Sequence, residues 1–164
     1  CLWESHAIVR YVSSRYGKGI LWPENEQKRA IADQWMDWSA SRAFPPVIQL
    51  FFATVRTEPL LRDKTKINAL RDEAVKALKL LDEYLEDKLF IAGNTFSMGD
   101  IPIGCVVYRY LTVDVDRPDL RHIQEWYERL SERLAYKKHV MRHFGTNPTE
   151  WHELEKACVN EGIL

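Results

Sequence analysis

Glu4 and Ser5 stand directly before a run of apolar residues at helical spacing, and their types and order could do chemistry. A serine at a helix start can cap the first turn with its hydroxyl, a purely structural role. The same hydroxyl, beside backbone N–H groups that have no partner within the helix, also makes a site for an anion. The neighbouring acid narrows the ligand. N–H donors and a hydroxyl suit a carboxylate, and an adjacent carboxylate suits an ammonium, so the pair fits the α-amino-acid end of a small molecule. On the residues alone both readings stay open.

Ser97 and Asp100, within "FSMGDI", have the spacing of a capping box. The serine hydroxyl would accept from the Asp100 N–H, the Asp100 carboxylate from the Ser97 N–H, and Phe96 would staple onto Ile101. A catalytic acid is the rival reading, but the spacing points to structure, with a loss of about 1 kcal/mol or more on removal. His139 and His143, four apart, could share a metal. Lys137, Lys138 and Arg142 surround them, so a solvated basic face with no metal is expected. His6, His122 and His152 have no partner at a telling spacing. Cys1, Cys105 and Cys158 lie far apart without a CxxC pair and read as free thiols, Cys105 as a small buried hydrophobe in "IPIGCVVYRYL". The chain has no glycine-rich phosphate loop, no nucleophile elbow and no carboxylate pair in apolar surroundings.

The elements that must position these residues read as helices throughout. Ala7, Ile8, Tyr11, Val12 and Tyr16 predict a first helix from Ser5 to Tyr16, stopped at Gly17 by a left-handed turn. Pro23 followed by Glu24 and Glu26 predicts the next helix start, with Ile31, Trp35 and Trp38 on one face. Pro45 and Pro46 must bend that helix. Trp35 and Trp38 read as core or as the wall of an apolar cleft. From Asp63 to about Asp87 the set Ile67, Leu70, Ala74, Leu78, Leu81 and Leu85 gives one long amphipathic helix. Further helices are expected over Ser97–Val113, Pro118–Ser131 with Leu120, Ile123, Tyr127 and Leu130 inward, Ala135–Phe144, and Thr149–Val159.

A chain of 164 residues with 46% hydrophobic residues can build a substantial core. A net charge of −1 gives no field to gather nucleic acid or anionic lipid. No apolar run approaches the ~20 residues of a membrane span, and the start lacks the pattern of a signal peptide, so a cytoplasmic location is expected.

Taken in order, "LWESHAIVRYVSSRYG", a connector ending "LWP", a Trp-rich bent helix, a long amphipathic helix, "FIAGNTFSMGDI" and "RPDLRHIQEWYERLSERLAYKKHV" resemble the soluble glutathione transferases, most closely a bacterial group, over about residues 2–144. The resemblance implies an all-α fold, a helical bundle of the kind that forms the C-terminal domain of those enzymes, with a remnant of a thioredoxin-like domain. Residues 1–17 would be the last strand and helix of that glutathione-binding domain, 24–144 the helical domain, and 145–164 an extension without an assigned role. It further implies that most of the first domain is absent from this sequence, together with the Ser, Tyr, Cys or Asn that activates the glutathione sulfur, so no catalytic residue is named and the chain alone should not turn over.

Glutathione is the implied co-substrate, with Glu4 and Ser5 on its γ-glutamyl end. Trp38, Phe44, Tyr108 and Arg109 are implied to line the pocket for an electrophile, and Asp37 to reach the glutathione of a partner subunit in a homodimer. The implied activity is conjugation to electrophiles, thiol exchange or peroxide reduction. The rival is a non-catalytic transferase-like module for protein association.

Overall fold

A computed structural model describes residues 1–160. The chain is built from α1 (Ser5–Tyr16), α2 (Glu26–Trp38), a π-helical turn (Ser39–Ala43), α3 (Phe44–Thr54), a 3₁₀ turn (Pro59–Leu61), α4 (Lys64–Tyr84), α5 (Asp100–Thr112), α6 (Arg121–Ser131), α7 (Leu134–His139) and α8 (Pro148–Asn160). Among the described residues the only β-type pairings are the isolated bridges Lys18–Trp22 and Phe90–Gly93, which close two connectors. α5 runs through the middle, packed on α2, α3 and α6, while α4 lies across α3 and α6. Its buried face (Ile103, Val106, Val107, Tyr110) joins Leu50 and Phe51 of α3, Leu78 and Leu81 of α4, and Ile123, Trp126 and Leu130 of α6 in one core.

The π turn shows how sequence becomes shape. Pro45 and Pro46 have no N–H to return to the preceding turn, so the continuous α2–α3 rod cannot keep its hydrogen-bond ladder there. The wider turn at Ser39–Ala43 absorbs the defect, and both prolines sit in the first turn of α3, where a missing N–H costs nothing.

Several boundaries differ from expectation. Ser5 is not the cap of α1 but its first helical residue, because Glu4 takes the cap position and its carbonyl accepts from Ile8 N at 2.9 Å. Gly17 ends α1 with φ −114°, not in the left-handed region, and what requires glycine is the approach of Leu21, whose Cβ would lie 2.7 Å from an added Cβ. α2 starts at Glu26 rather than Pro23, since the Asn25 side chain caps it by accepting from Lys28 N at 2.9 Å. α6 begins at Arg121 rather than Pro118, because its cap comes from another helix: the Asp82 carboxylate of α4 accepts from Ile123 N at 2.9 Å. In α6 the fully buried aromatic is Trp126, with Tyr127 half-buried. α7 stops at His139 rather than Phe144, so His139 and His143 do not share a helix. The Tyr108 hydroxyl of α5 donates to the Arg142 carbonyl at 2.8 Å and holds the segment after α7 off the helical path.

Candidate functional site

At the start of α1, Glu4 has φ 69°, the one positive φ outside glycine among the described residues. A left-handed backbone at a non-glycine residue costs on the order of 1–3 kcal/mol and persists where the surroundings enforce it. The turn leaves the first N–H groups of α1 without a side-chain cap. Neither the Ser5 hydroxyl nor the Glu4 carboxylate has a hydrogen-bond or ion-pair partner among the described residues, and both side chains are exposed. Uncapped N–H groups, a free hydroxyl and a free carboxylate thus meet at one helix end, the donor and acceptor set that a zwitterionic amino-acid group requires.

His6 and Arg10 follow on the next turns. Burial, with Arg10 next in weight, pushes the His6 imidazole below its ordinary range, while Asp37 and Glu4 oppose the shift. Arg10 bridges to α2 by pairing with Asp33 at 2.5 Å and with Asp37. Asp37 is therefore placed beside the α1 start with 73% of its side chain exposed, engaged by Arg10 rather than isolated.

The residues implied for an electrophile pocket divide. Tyr108 and Arg109 lie together on a cavity of about 270 Å³ between α5, the segment after α7, and α8. Cys105, Phe144, Trp151 and Leu154 supply apolar wall, and Arg142, His143, Glu155 and Cys158 the polar remainder. Trp38 and Phe44 do not border it. The Trp38 ring packs edge-on at 4.7 Å against buried Trp35, and Phe44 is exposed at the start of α3. Cys105 is half-buried on the cavity wall, where burial pushes its thiol up and keeps it neutral. Cys158, unassigned in the sequence, accepts from the Arg142 guanidinium at 3.2 Å. His139, the last residue of α7, also borders the cavity, and His143 joins it from the non-helical segment that follows rather than by helical spacing. Among the described residues no group of three or more His, Cys, Asp or Glu converges as for a metal.

Asp100 is fully buried and serves more than a box. Its Oδ2 accepts from Ser97 N at 2.8 Å and from the Ser97 hydroxyl at 3.0 Å, while Oδ1 accepts from Ile91 N and from Trp126 Nε1, each at 2.9 Å. The Ser97 hydroxyl donates instead of capping α5, which starts at Asp100. Phe96 sits edge-on to Phe90 with the Arg133 guanidinium 3.7 Å above its ring. The carboxylate thus ties the connector before α5 to α6 and carries no exposed acid. Burial pushes it up from the usual carboxylate range against the pull of its donors.

Residues 64–129 match the family described as "Glutathione S-transferase, C-terminal domain". The chain is 36% identical over 140 residues to glutathione S-transferase GstB of Escherichia coli K12, an alignment covering 85% of this chain and 67% of that protein. It superimposes with TM-score 0.82 on the apo crystal structure of the theta class glutathione S-transferase from Xanthomonas axonopodis pv. citri, at 39% identity over 85% of this chain and 74% of that one. The glutathione-bound form of the same enzyme matches with TM-score 0.81 at 39% identity and the same coverage. With the order of helices, the bend after α2 and the buried Asp100 hub already in place, these matches make the chain a member of the glutathione S-transferase family of enzymes.

Proposed function

We propose that this protein works as a glutathione transferase in which Glu4 and Ser5 hold the γ-glutamyl end of glutathione. The observation that carries the reading is the left-handed Glu4, which opens the first turn of α1 and leaves its N–H groups, the Ser5 hydroxyl and the Glu4 carboxylate together and unpaired. A Xanthomonas relative at 39% identity is described with glutathione bound, which supports the choice of ligand. Glutathione supplies the nucleophilic sulfur. The N–H groups and hydroxyl of this chain orient its carboxylate, Glu4 its ammonium, and the cavity of Tyr108 and Arg109 holds an electrophile at an apolar wall. Trp38 contributes through packing near the bend, and Phe44 stands exposed beside it.

Residues 1–17 belong in this reading to a thioredoxin-like half, 24–144 to the helical domain and 145–164 to an extension, of which Trp151, Leu154, Glu155 and Cys158 line the cavity. That division is supported by α1, whose Ile8, Tyr11, Val12 and Tyr16 are exposed while the apolar faces of α2 to α6 are sunk in the core. Two copies form a two-fold dimer with Asp37 directed to the partner's glutathione, and the protein works in the cytoplasm. Among the described residues no helix is long and apolar enough to cross a membrane.

The test is calorimetric titration of glutathione into the product of the whole gene and its Ser5→Ala variant. Affinity should fall on the order of tenfold, the worth of one hydrogen bond to a charged group, with the fold near intact. Equal affinities would remove Ser5 from the site, and absence of binding in both would favour the association module.

A further inference from the structure

The α5–α8 cavity carries a charge pattern unlike its apolar walls. Arg109 is half-buried on its wall, and its guanidinium has no hydrogen bond or ion pair among the described residues. A guanidinium partly withdrawn from water without an anion is costly, and Arg presents a planar fork suited to a carboxylate. Arg142 brings a second positive charge, while Glu155 is the one carboxylate among the lining residues. His143 adds a donor: its Nδ1 accepts from the Gly145 N–H at 3.2 Å, which leaves Nε2 to carry the ring proton in the neutral form. The walls between these groups are aromatic, with Tyr108 and Phe144 edge-on at 5.8 Å and Phe144 and Trp151 tilted at 6.5 Å.

We propose that this cavity selects a flat aromatic molecule bearing a carboxylate, with Arg109 as the group that binds the carboxylate. Aromatic faces take the ring, and Arg109 with the His143 N–H takes the anion at the polar side. The cavity volume of about 270 Å³ accommodates a one- or two-ring compound. Insofar as the cavity is the electrophile pocket, the inference rests on the transferase reading and names the substrate class as anionic aromatic electrophiles. The binding preference itself needs no glutathione.

Naphthalene-2-carboxylate and its neutral carboxamide, titrated without glutathione into the product of the whole gene and followed by calorimetry, test it. The carboxylate should bind on the order of tenfold more tightly than the amide. Arg109→Gln should erase that advantage with the amide affinity unchanged, and Glu155→Gln should raise carboxylate affinity severalfold. Should Arg109→Gln fail to fold, the Glu155→Gln comparison decides alone. Equal binding of carboxylate and amide by the parent, or a preference that survives Arg109→Gln, overturns the proposal. Because no arm contains glutathione, failure here is separate from failure of the Ser5→Ala test.

Discussion

Asp100 holds four donors from three places in the chain, so its removal strands the Ile91 N–H, the Ser97 N–H and the Trp126 indole N–H in the interior at once. Buried donors without acceptors cost about 1–3 kcal/mol each. Asp100→Ala should therefore lose about 3 kcal/mol or more in urea denaturation, well beyond the roughly 1 kcal/mol of a simple cap. A loss confined to the cap value would show that water replaces the carboxylate. His6 gives a pH signature. Its folded pKa lies below 6.5, so the folded state resists taking up a proton that the unfolded chain accepts. Its contribution is present above pH 6.5 and is lost as pH falls through the folded value. Stability of the His6→Gln variant should decline less between neutral and mildly acidic pH, and an identical decline would clear His6 of the effect.

The helices meet where side chains are smallest. Gly104 of α5 lets Tyr136 of α7 approach until an added Cβ would lie 2.9 Å from its ring, and the Tyr136 hydroxyl donates to the Gly104 carbonyl at 2.8 Å. That hydrogen bond fixes the ring and prevents an easy escape. Gly104→Ala gains about 1 kcal/mol in helix propensity. Overpacking costs about 1–3 kcal/mol. Thermal denaturation should therefore show a net loss of a few degrees, whereas a rise would mean that α7 yields freely. The same contact steers the segment after α7 toward the cavity, so the variant should also weaken carboxylate binding there.

At the scale of the molecule, Trp3, Tyr11 and Tyr16 are between half and three-quarters exposed on the α1 side, a large apolar area for a helix whose neighbours are well buried. In the proposed arrangement a thioredoxin-like half covers it, and a two-fold dimer forms beside it. Sedimentation equilibrium of the whole gene product should return twice its subunit mass. A monomer at micromolar concentration would leave Asp37 with no partner site to reach.

The sequence by itself determined the helical class, the order of the elements and the extent of α1, because apolar spacing and proline placement are local signals that survive without the rest of the chain. Ser97 and Asp100 were legible as a pair for the same reason. What lay beyond it was set by distance in space. The Asp82 carboxylate caps α6 from forty-one residues away, Trp126 completes the Asp100 hub, and Tyr108 ends α7 by capturing the Arg142 carbonyl. None of these leaves a periodic trace. The site divided in the same way: Glu4 and Ser5 were visible as adjacent residues, but the strained turn between them arises from the fold. Tyr108 and Arg109 were named from resemblance, and only the path of the segment after α7 and of α8 brought His143, Trp151 and Cys158 to the same cavity and left Trp38 and Phe44 away from it.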